Sequence, residues 1–199
     1  MPLIHDFLRD LDRAWTPSGS SKVPLRIIGS TALMLQASYA RGTKDSDVLE
    51  TVDLDAGIRA RLEAIAGRGS KLHVRHKLYL DIVSSSLPFL ARSPAWLDVP
   101  DLSAELTNLH AQVLSVVDVV VSKLKRLHAY DLQDIEAMVN RGLVGHGLLV
   151  DRFRDAVDGY LLDSRAEDLP RYVANLHRVE RDLLGVPETA IELPSWLDQ

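Results

Sequence analysis

The sequence contains no cysteine, and this absence excludes several kinds of chemistry at once. A chain without thiols forms no disulfide, carries no cysteine nucleophile and offers no cysteine ligands for zinc. Long hydrophobic runs are also lacking, because the apolar stretch 113–121 is broken by Ser115 and Asp118 and is too short for a membrane span. Residues 1–6 combine no basic segment with an apolar core. We therefore expect a cytoplasmic protein with no secretion signal and no membrane contact.

The glycine-rich motifs of several common enzyme folds are missing as well. The chain has no GxxxxGK[ST] loop, no GxGxxG after an apolar strand and no GxSxG elbow. Its 7 histidines do not show the spacing of metal ligands. The sequence therefore does not support a P-loop NTPase, a dinucleotide-binding enzyme or an α/β-hydrolase.

Basic residues are too few overall to coat the surface, since the net charge is −5 at a length of 199 residues. This balance argues against a protein that binds long nucleic acids along its whole surface. No acidic residue lies between Glu63 and Asp81, however, and four cationic residues do: Arg68, Lys71, Arg75 and Lys77. This basic stretch is either a solvated turn or a patch that guides a phosphate-bearing partner toward Asp81.

The pattern that organises the chain is an apolar segment that meets Gly29 and Ser30. The residues before the glycine predict a strand, and residues 31–36 predict a helix. Gly29 permits a sharp turn and a close approach of a ligand to the backbone. Ser30 can cap the helix and donate hydrogen bonds to a phosphate group. The sequence thus predicts an anion site at this turn.

Two carboxylates follow at alternate positions, Asp45 and Asp47, in a second predicted strand. Alternate residues of a strand lie on the same face, so the two side chains share one side of the sheet. Their negative charges repel unless a cation lies between them, and hard oxygen ligands suit Mg²⁺ or Mn²⁺. A third strand predicted at 78–83 places Asp81 among candidate ligands.

This order of motifs resembles the DNA polymerase beta-like nucleotidyltransferase superfamily over roughly residues 22–140. The shared features are the Gly-Ser turn, the Asp-x-Asp strand and a later acidic strand. Arg41 and Thr43, shortly before Asp45, resemble the stand-alone bacterial nucleotidyltransferases related to AbiEii-type toxins. The sequence departs from the superfamily at Ser46, where an apolar residue is usual, and its spacing between the Gly-Ser turn and Asp45 is long.

The resemblance implies a Mg²⁺-dependent transfer of a nucleotide from an NTP to an acceptor hydroxyl. Asp45, Asp47 and Asp81 are then the catalytic and metal-binding residues. The implied nucleotide-binding residues are Gly29, Ser30, Arg41 and Lys123. The resemblance also implies the toxin of a toxin–antitoxin pair, with a cognate antitoxin protein as partner. The position of the basic stretch just before Asp81, and not the resemblance, is the reason to expect tRNA as the acceptor.

Two other functions remain open at this point. The chain could be a catalytically silent, antitoxin-like binding module that keeps the fold, or a transferase that modifies a protein or a small molecule. The retained aspartates argue against the silent module, whereas Ser46 argues for it. The sequence does not identify the NTP.

We expect an α+β fold with a small mixed β-sheet core flanked by helices. The predicted boundaries are a nucleotidyltransferase core at 1–116 and a C-terminal helical region at 117–199. We further expect a strand at 72–74, an irregular surface excursion at 84–100 and Asp131 as the N-cap of a helix. Asp134 is predicted to pair with Lys123 or Arg126 and orient it, and Asp55 is predicted to cap a helix.

Overall fold

The computed structural model describes residues 3–16, 21–37, 39, 45–51, 53–161 and 163–197, without the side chains of Asp45, Ser164 and Ser195. The chain forms two compact units. The first, here called the sheet unit, comprises residues 1–87 and 96–115. The second, here called the helical unit, comprises residues 88–95 and 116–199.

A five-stranded mixed sheet forms the centre of the described part of the sheet unit, in the order β3-β2-β1-β5-β4. The strands are β1 (Val23–Ile27), β2 (Asp45–Leu49), β3 (Tyr79–Val83), β4 (Trp96–Asp98) and β5 (Leu109–Leu114). β1 pairs in parallel with β5 and antiparallel with β2, and β2 pairs in parallel with β3. The predicted α+β fold with a small mixed sheet is confirmed.

The helices of the sheet unit are α1 (Leu3–Ala14), α2 (Gly29–Ala37), α3 (Ala56–Ala66), α4 (Lys71–His76) and α5 (Pro100–Glu105). α2 packs against β2 and β5, and α3 packs against β3. The carboxylate of Asp55 accepts a hydrogen bond from the Ile58 N–H at 2.8 Å, which confirms the predicted cap of α3.

The two faces of the sheet differ in polarity because apolar and polar residues alternate along its strands. Leu25, Ile27, Val113 and Val48 are fully buried on one face. The other face carries the predicted site residues of β2 and β3, and we call it the carboxylate face. The hydrophobic effect thus fixes the register, because a slip by one residue would exchange the two faces.

The predicted strand at 72–74 is wrong, because these residues lie in α4. The Ser70 hydroxyl accepts a hydrogen bond from the His73 N–H at 3.1 Å and caps this helix. Lys77 ends it in the left-handed conformation at φ 56°. A local cap therefore decides the structure of a segment whose apolar alternation favours a strand.

The helical unit contains four helices in its described residues: α6 (Val116–Leu124), α7 (Ala129–Asn140), α8 (His146–Tyr160) and α9 (Leu169–Val179). A π-helical turn, Glu180–Leu184, continues α9, and short 3₁₀ segments lie at Ser164–Asp168 and Ser195–Leu197. Among the described residues, no helix is long and apolar enough to cross a membrane.

The prediction of a surface excursion at 84–100 is wrong for its central part. Phe89 is fully buried, and its ring contacts those of Phe153, Tyr160 and Tyr172 at centroid distances of 5.4, 5.1 and 5.0 Å. Residues 96–98 of the same stretch form β4. The segment 88–95 is therefore part of the aromatic core of the helical unit.

Candidate functional site

The turn between β1 and α2 brings a backbone segment directly against the Asp47 carboxylate. Gly29 has a φ of 65°, a conformation that residues with a side chain rarely adopt. A Cβ atom added to Gly29 would lie only 2.8 Å from Oδ2 of Asp47. The neighbouring Ile28 N–H donates a hydrogen bond to the Asp47 carbonyl at 2.9 Å. Glycine is thus required here for two reasons, the backbone conformation and the close approach of the carboxylate.

The third predicted carboxylate, Asp81, lies beside Asp47. The two residues are direct partners in the parallel pairing of β2 with β3. Neighbouring strands lie about 4.8 Å apart, and direct partners in a parallel pair present their side chains to the same face. Asp47 is half-buried and Asp81 is exposed. Asp45 pairs with Tyr79 one step along the same face, although the structure does not describe its side chain.

The chemistry of these donors fits a divalent cation. Carboxylate oxygens are the ligands that Mg²⁺ prefers, and two acidic side chains at this spacing repel each other without one. Among the described side chains, which exclude that of Asp45, no three His, Asp or Glu residues form a metal-binding group by themselves. Asp47 and Asp81 are therefore two candidate ligand residues, and Asp45 is the predicted third.

The remaining predicted nucleotide contacts of this unit are placed as follows. Ser30 lies in the first turn of α2, next to Gly29, at an end of the helix where backbone N–H groups attract anions. Arg41 lies outside the described residues. Gly29, Ser30, Asp47 and Asp81 are thus brought together at one end of β1.

Lys123 lies in the helical unit and is engaged in a buried cluster of ion pairs. Its Nζ lies 3.0 Å from Oδ1 of Asp131 and 2.8 Å from Oδ2 of Asp134, and all three side chains are at most 6% exposed. The predicted pairing with Asp134 is confirmed. Arg126 adds a second cation beside Asp131 at 3.2 Å. The role of Lys123 as a nucleotide contact stays a prediction.

Asp131 is not the N-cap of α7 as predicted but the third residue of that helix. Its carboxylate accepts a hydrogen bond from the backbone N–H of His128 at 3.1 Å, and His128 is the capping residue. Burial raises the pKa of Asp131, but the charge of Lys123 and the hydrogen bonds from Arg126 and Lys123 outweigh it and hold the pKa below its usual range. Asp131 therefore stabilises both the helix end and the cluster.

The basic stretch divides into two parts in the structure. Arg75 and His76 contact Asp10 of α1 at 2.7 and 2.9 Å, and the His76 side chain is buried. Arg68 and His73 instead contact the ring of Tyr79, at 5.9 Å from the guanidinium carbon and 5.2 Å between ring centroids. Because Tyr79 and Asp81 are alternate residues of β3, this second group adjoins the carboxylates.

Sequence reasoning missed Arg26 and Trp96 on the same face of the sheet. The guanidinium carbon of Arg26 lies 5.3 Å from the centroid of the Trp96 ring. Arg26 could have been found as the cationic residue between apolar Leu25 and Ile27, since alternation assigns it to the polar face. Its contact with Trp96 depends on the pairing of distant strands, which no local pattern reveals.

A cleft of about 780 Å³ lies at the opposite end of β1. Trp15, Lys22, Asp53 and Arg61 are among its lining residues, together with the first residues of β1. Of the predicted site residues whose side chains the structure describes, none lines it. The cleft and the carboxylates are therefore separate features of the sheet unit.

Comparison with known families supports the assignment of the chain as a nucleotidyltransferase. Residues 9–177 match the model of a family described as "Nucleotidyltransferase of unknown function (DUF6036)". No curated protein matches the chain, and no solved structure matches it. The family match covers most of the chain, including the Gly-Ser turn and all three acidic positions. The chain therefore belongs to this family of nucleotidyltransferases of unknown function.

Proposed function

We propose that the protein transfers a nucleotide from an NTP to an acceptor hydroxyl with the help of Mg²⁺ or Mn²⁺. The observation that carries this proposal is the position of the Asp47 carboxylate against the Gly29 turn, with Asp81 beside it on the next strand. An anion-binding helix end and a pair of carboxylates are thereby adjacent. A metal–triphosphate complex needs both.

The roles of the residues follow from charge and position. Asp45, Asp47 and Asp81 would hold the cation, which neutralises phosphate charge and acts as a Lewis acid when bound. The backbone at Gly29 and Ser30 offers N–H donors to the triphosphate. Asp81, whose carboxylate is exposed, would also accept the proton of the attacking hydroxyl. The acceptor oxygen then bonds to the α-phosphorus while the bond to the bridging oxygen breaks and pyrophosphate leaves.

We propose a nucleic acid, and specifically tRNA, as the acceptor. Arg68 supplies charge for phosphates, and Tyr79, whose ring Arg68 and His73 contact, supplies an aromatic ring for a base, next to Asp81. Arg75 contributes less than the sequence suggests, since its guanidinium already pairs with Asp10. Because few cations are involved, affinity should fall with salt in proportion to only a few phosphate contacts.

The test is the transfer of label from α-phosphate-labelled NTPs, with total RNA and total protein offered separately as acceptors. We expect label in RNA of tRNA size, and a reduced transfer when the charge of Arg68 is reversed. Reversal of the charge of Arg141, an exposed residue of the helical unit, is the control. Label in protein alone would refute the nucleic-acid acceptor, and no transfer to either would favour the silent binding module.

We also propose that this activity is that of a toxin with a cognate antitoxin. The similarity around Arg41 and Asp45 to AbiEii-type toxins supports this role. Induced expression of the wild type should arrest bacterial growth, and Asp47→Asn should not. Equal growth with both proteins at equal abundance would refute the toxin role without bearing on the transferase chemistry.

A further inference from the structure

The carboxylate face carries a second group of polar and aromatic side chains, on the strands at the other side of β1. Arg26 of β1 is the direct partner of Gln112 in β5, and Gln112 is the direct partner of Asp98 in β4. Trp96 lies two residues before Asp98 and on the same face. These four residues, here called the Arg26 platform, all belong to the sheet unit.

In the described part of the chain, Arg26 contacts the other members of this platform through the Trp96 ring. Within the described part of the chain, no carboxylate lies within ion-pair distance of its guanidinium, and its Nε is buried without a hydrogen-bond acceptor. An N–H donor that is buried without a hydrogen-bond acceptor destabilises the folded state, because its hydrogen bond to water has been lost and not replaced. The guanidinium carbon lies over the Trp96 ring, 5.3 Å from its centroid. A ligand that supplies acceptor atoms and a flat surface would complete this environment.

Gln112 is held in place beside Arg26 by the Asp98 carboxylate. Gln112 Nε2 donates to Asp98 Oδ1 at 3.1 Å, and the same oxygen contacts His110 Nε2 at 2.9 Å. The hydrogen bonds from Gln112 and His110 lower the pKa of Asp98, so this side chain stays an anion near neutral pH. Because its amino group donates to Asp98, the acceptor that Gln112 can offer a ligand is its amide oxygen, on the residue directly paired with Arg26.

The Arg26 platform lies at a distance from Asp47 that suits one nucleotide. Arg26 is the direct partner of Leu49, so Asp47 is its diagonal neighbour, and such neighbours lie about 7–8 Å apart. The strand order puts Trp96 on the β5 side of Arg26 and the carboxylates on its β2 side. A ring stacked on the guanidinium opposite Trp96 would therefore lie toward Asp47. Bases stack readily on arginine planes as well as on aromatic rings.

We propose that the Arg26 platform binds the nucleobase of the NTP. The base stacks on the Arg26 guanidinium, which Trp96 contacts from the other side, and its edge bonds to the Gln112 amide oxygen. The Arg26 donors point within the guanidinium plane and bond to oxygens of the ribose. The triphosphate then reaches the Gly29 turn and the carboxylates. This inference rests on the proposed nucleotidyl transfer, because it assigns the base-binding half of the same site.

Calorimetric titrations that compare two kinds of ligand separate base contacts from phosphate contacts. The ligands are the four ribonucleoside triphosphates and inorganic tripolyphosphate, each with Mg²⁺. The variants are Arg26→Gln and Trp96→Leu. Arg61→Gln is the matched control, because Arg61 also stacks on a tryptophan of the sheet unit, Trp15, at 4.6 Å.

We expect Arg26→Gln and Trp96→Leu to weaken binding of the preferred NTP about tenfold or more, the effect of losing one base-stacking contact. Tripolyphosphate binding should be unchanged in both variants, and Arg61→Gln should bind both ligands as the wild type does. Circular dichroism checks folding, and Arg26→Gln decides alone if Trp96→Leu fails to fold.

Three results would overturn the inference. Unchanged NTP binding by folded Arg26→Gln would refute the base contact while leaving the transferase proposal intact. An equal loss for NTP and tripolyphosphate would make Arg26 a phosphate contact. A wild type that binds tripolyphosphate as tightly as any NTP would have no base site. If the wild type bound neither ligand, the proposed function itself would fail.

Discussion

At the scale of single residues, Gly29 links the fold to the chemistry, because its missing side chain leaves room for Asp47. Gly29→Ala should destabilise the protein by about 1–2 kcal/mol through the left-handed backbone alone. It should also displace the Asp47 carboxylate, since the new Cβ would lie 2.8 Å from Oδ2. We expect weaker binding of Mg–NTP in calorimetry together with a lower melting temperature.

Gly142→Ala is the matched control for this substitution. Gly142 has a similar φ of 69°, and a Cβ there would meet nothing within 4 Å. It should show the loss of stability without the loss of metal–nucleotide binding. Equal nucleotide binding by both alanine variants would contradict the role of the close contact.

Ser46, the unusual middle residue of the Asp-x-Asp motif, lies on the buried face of the sheet. It is 1% exposed, and within the described residues its hydroxyl has no hydrogen-bond partner. Ser46→Ala removes a buried hydroxyl that lost its hydrogen bonds to water on folding and gained none in return. We therefore expect the free energy of unfolding to stay level or rise by about 1 kcal/mol. Urea denaturation measures this change. A marked loss of stability would reveal a partner for the hydroxyl.

At the scale of elements, the cluster around Lys123 holds α6 and α7 together. Lys123→Met should lower the free energy of unfolding by about 3–5 kcal/mol, because it leaves Asp131 and Asp134 buried without their shared cation. Urea denaturation of this variant, with Arg141→Met as an exposed control on the same region, checks the prediction. If Lys123→Met were as stable as the wild type, this structural role of Lys123 would be contradicted.

Glu180 is fully buried at the start of the π-helical turn. Its carboxylate attaches the segment that follows this turn to the helical unit. This carboxylate contacts His146 Nε2 at 2.8 Å and accepts the Thr189 N–H at 2.9 Å. Burial raises the pKa of Glu180, but the hydrogen bonds from Thr189 and His146 outweigh it and hold the pKa below its ordinary value of 4.5. The Glu180 carboxylate therefore contributes its full stabilisation above pH 4.5. This contribution is lost as the pH falls through the lower pKa that Glu180 has in the folded state.

Hydrogen exchange at the Thr189 amide, measured against pH, tests this attachment. After correction for the intrinsic exchange rate of the amide, the hydrogen bond of the Thr189 amide in the wild type should open more readily as the pH falls below 4.5. Glu180→Gln should open more readily at neutral pH and lose this pH dependence. The same profile in both proteins would assign the attachment to other contacts.

Local patterns predicted the elements whose structure depends on neighbouring residues. The strand–turn–helix at Gly29, the strand of Asp81 and the cap at Asp55 all follow from spacing and local hydrogen bonding. The helix at 71–76 was missed because the Ser70 cap outweighed an apolar alternation. The burial of Phe89 and the contact of Arg26 with Trp96 were missed because their partners lie far away in the sequence.

At the scale of the whole molecule, the chain alternates between its two units. It leaves the sheet unit at 88, returns at 96 and leaves again at 116. The segment 88–95 is fastened in the helical unit, where the Asp118 carboxylate accepts the Ala95 N–H at 2.8 Å and pairs with Arg152 at 2.7 Å. A sequence that predicts one boundary near 116 cannot reveal this excursion, because it depends on tertiary contacts.

The central claim is that the carboxylates on β2 and β3 bind a metal–nucleotide complex. Calorimetric titration of Mg–NTP into the wild type and into Asp47→Asn tests it most directly, with Asp101→Asn, an exposed residue of α5, as the control. The wild type and the control should bind Mg–NTP, and removal of the metal with a chelator should abolish binding. Asp47→Asn should lose about 10²-fold in affinity, as expected for a charged ligand removed from a metal site. Equal binding by Asp47→Asn and the wild type would contradict the account.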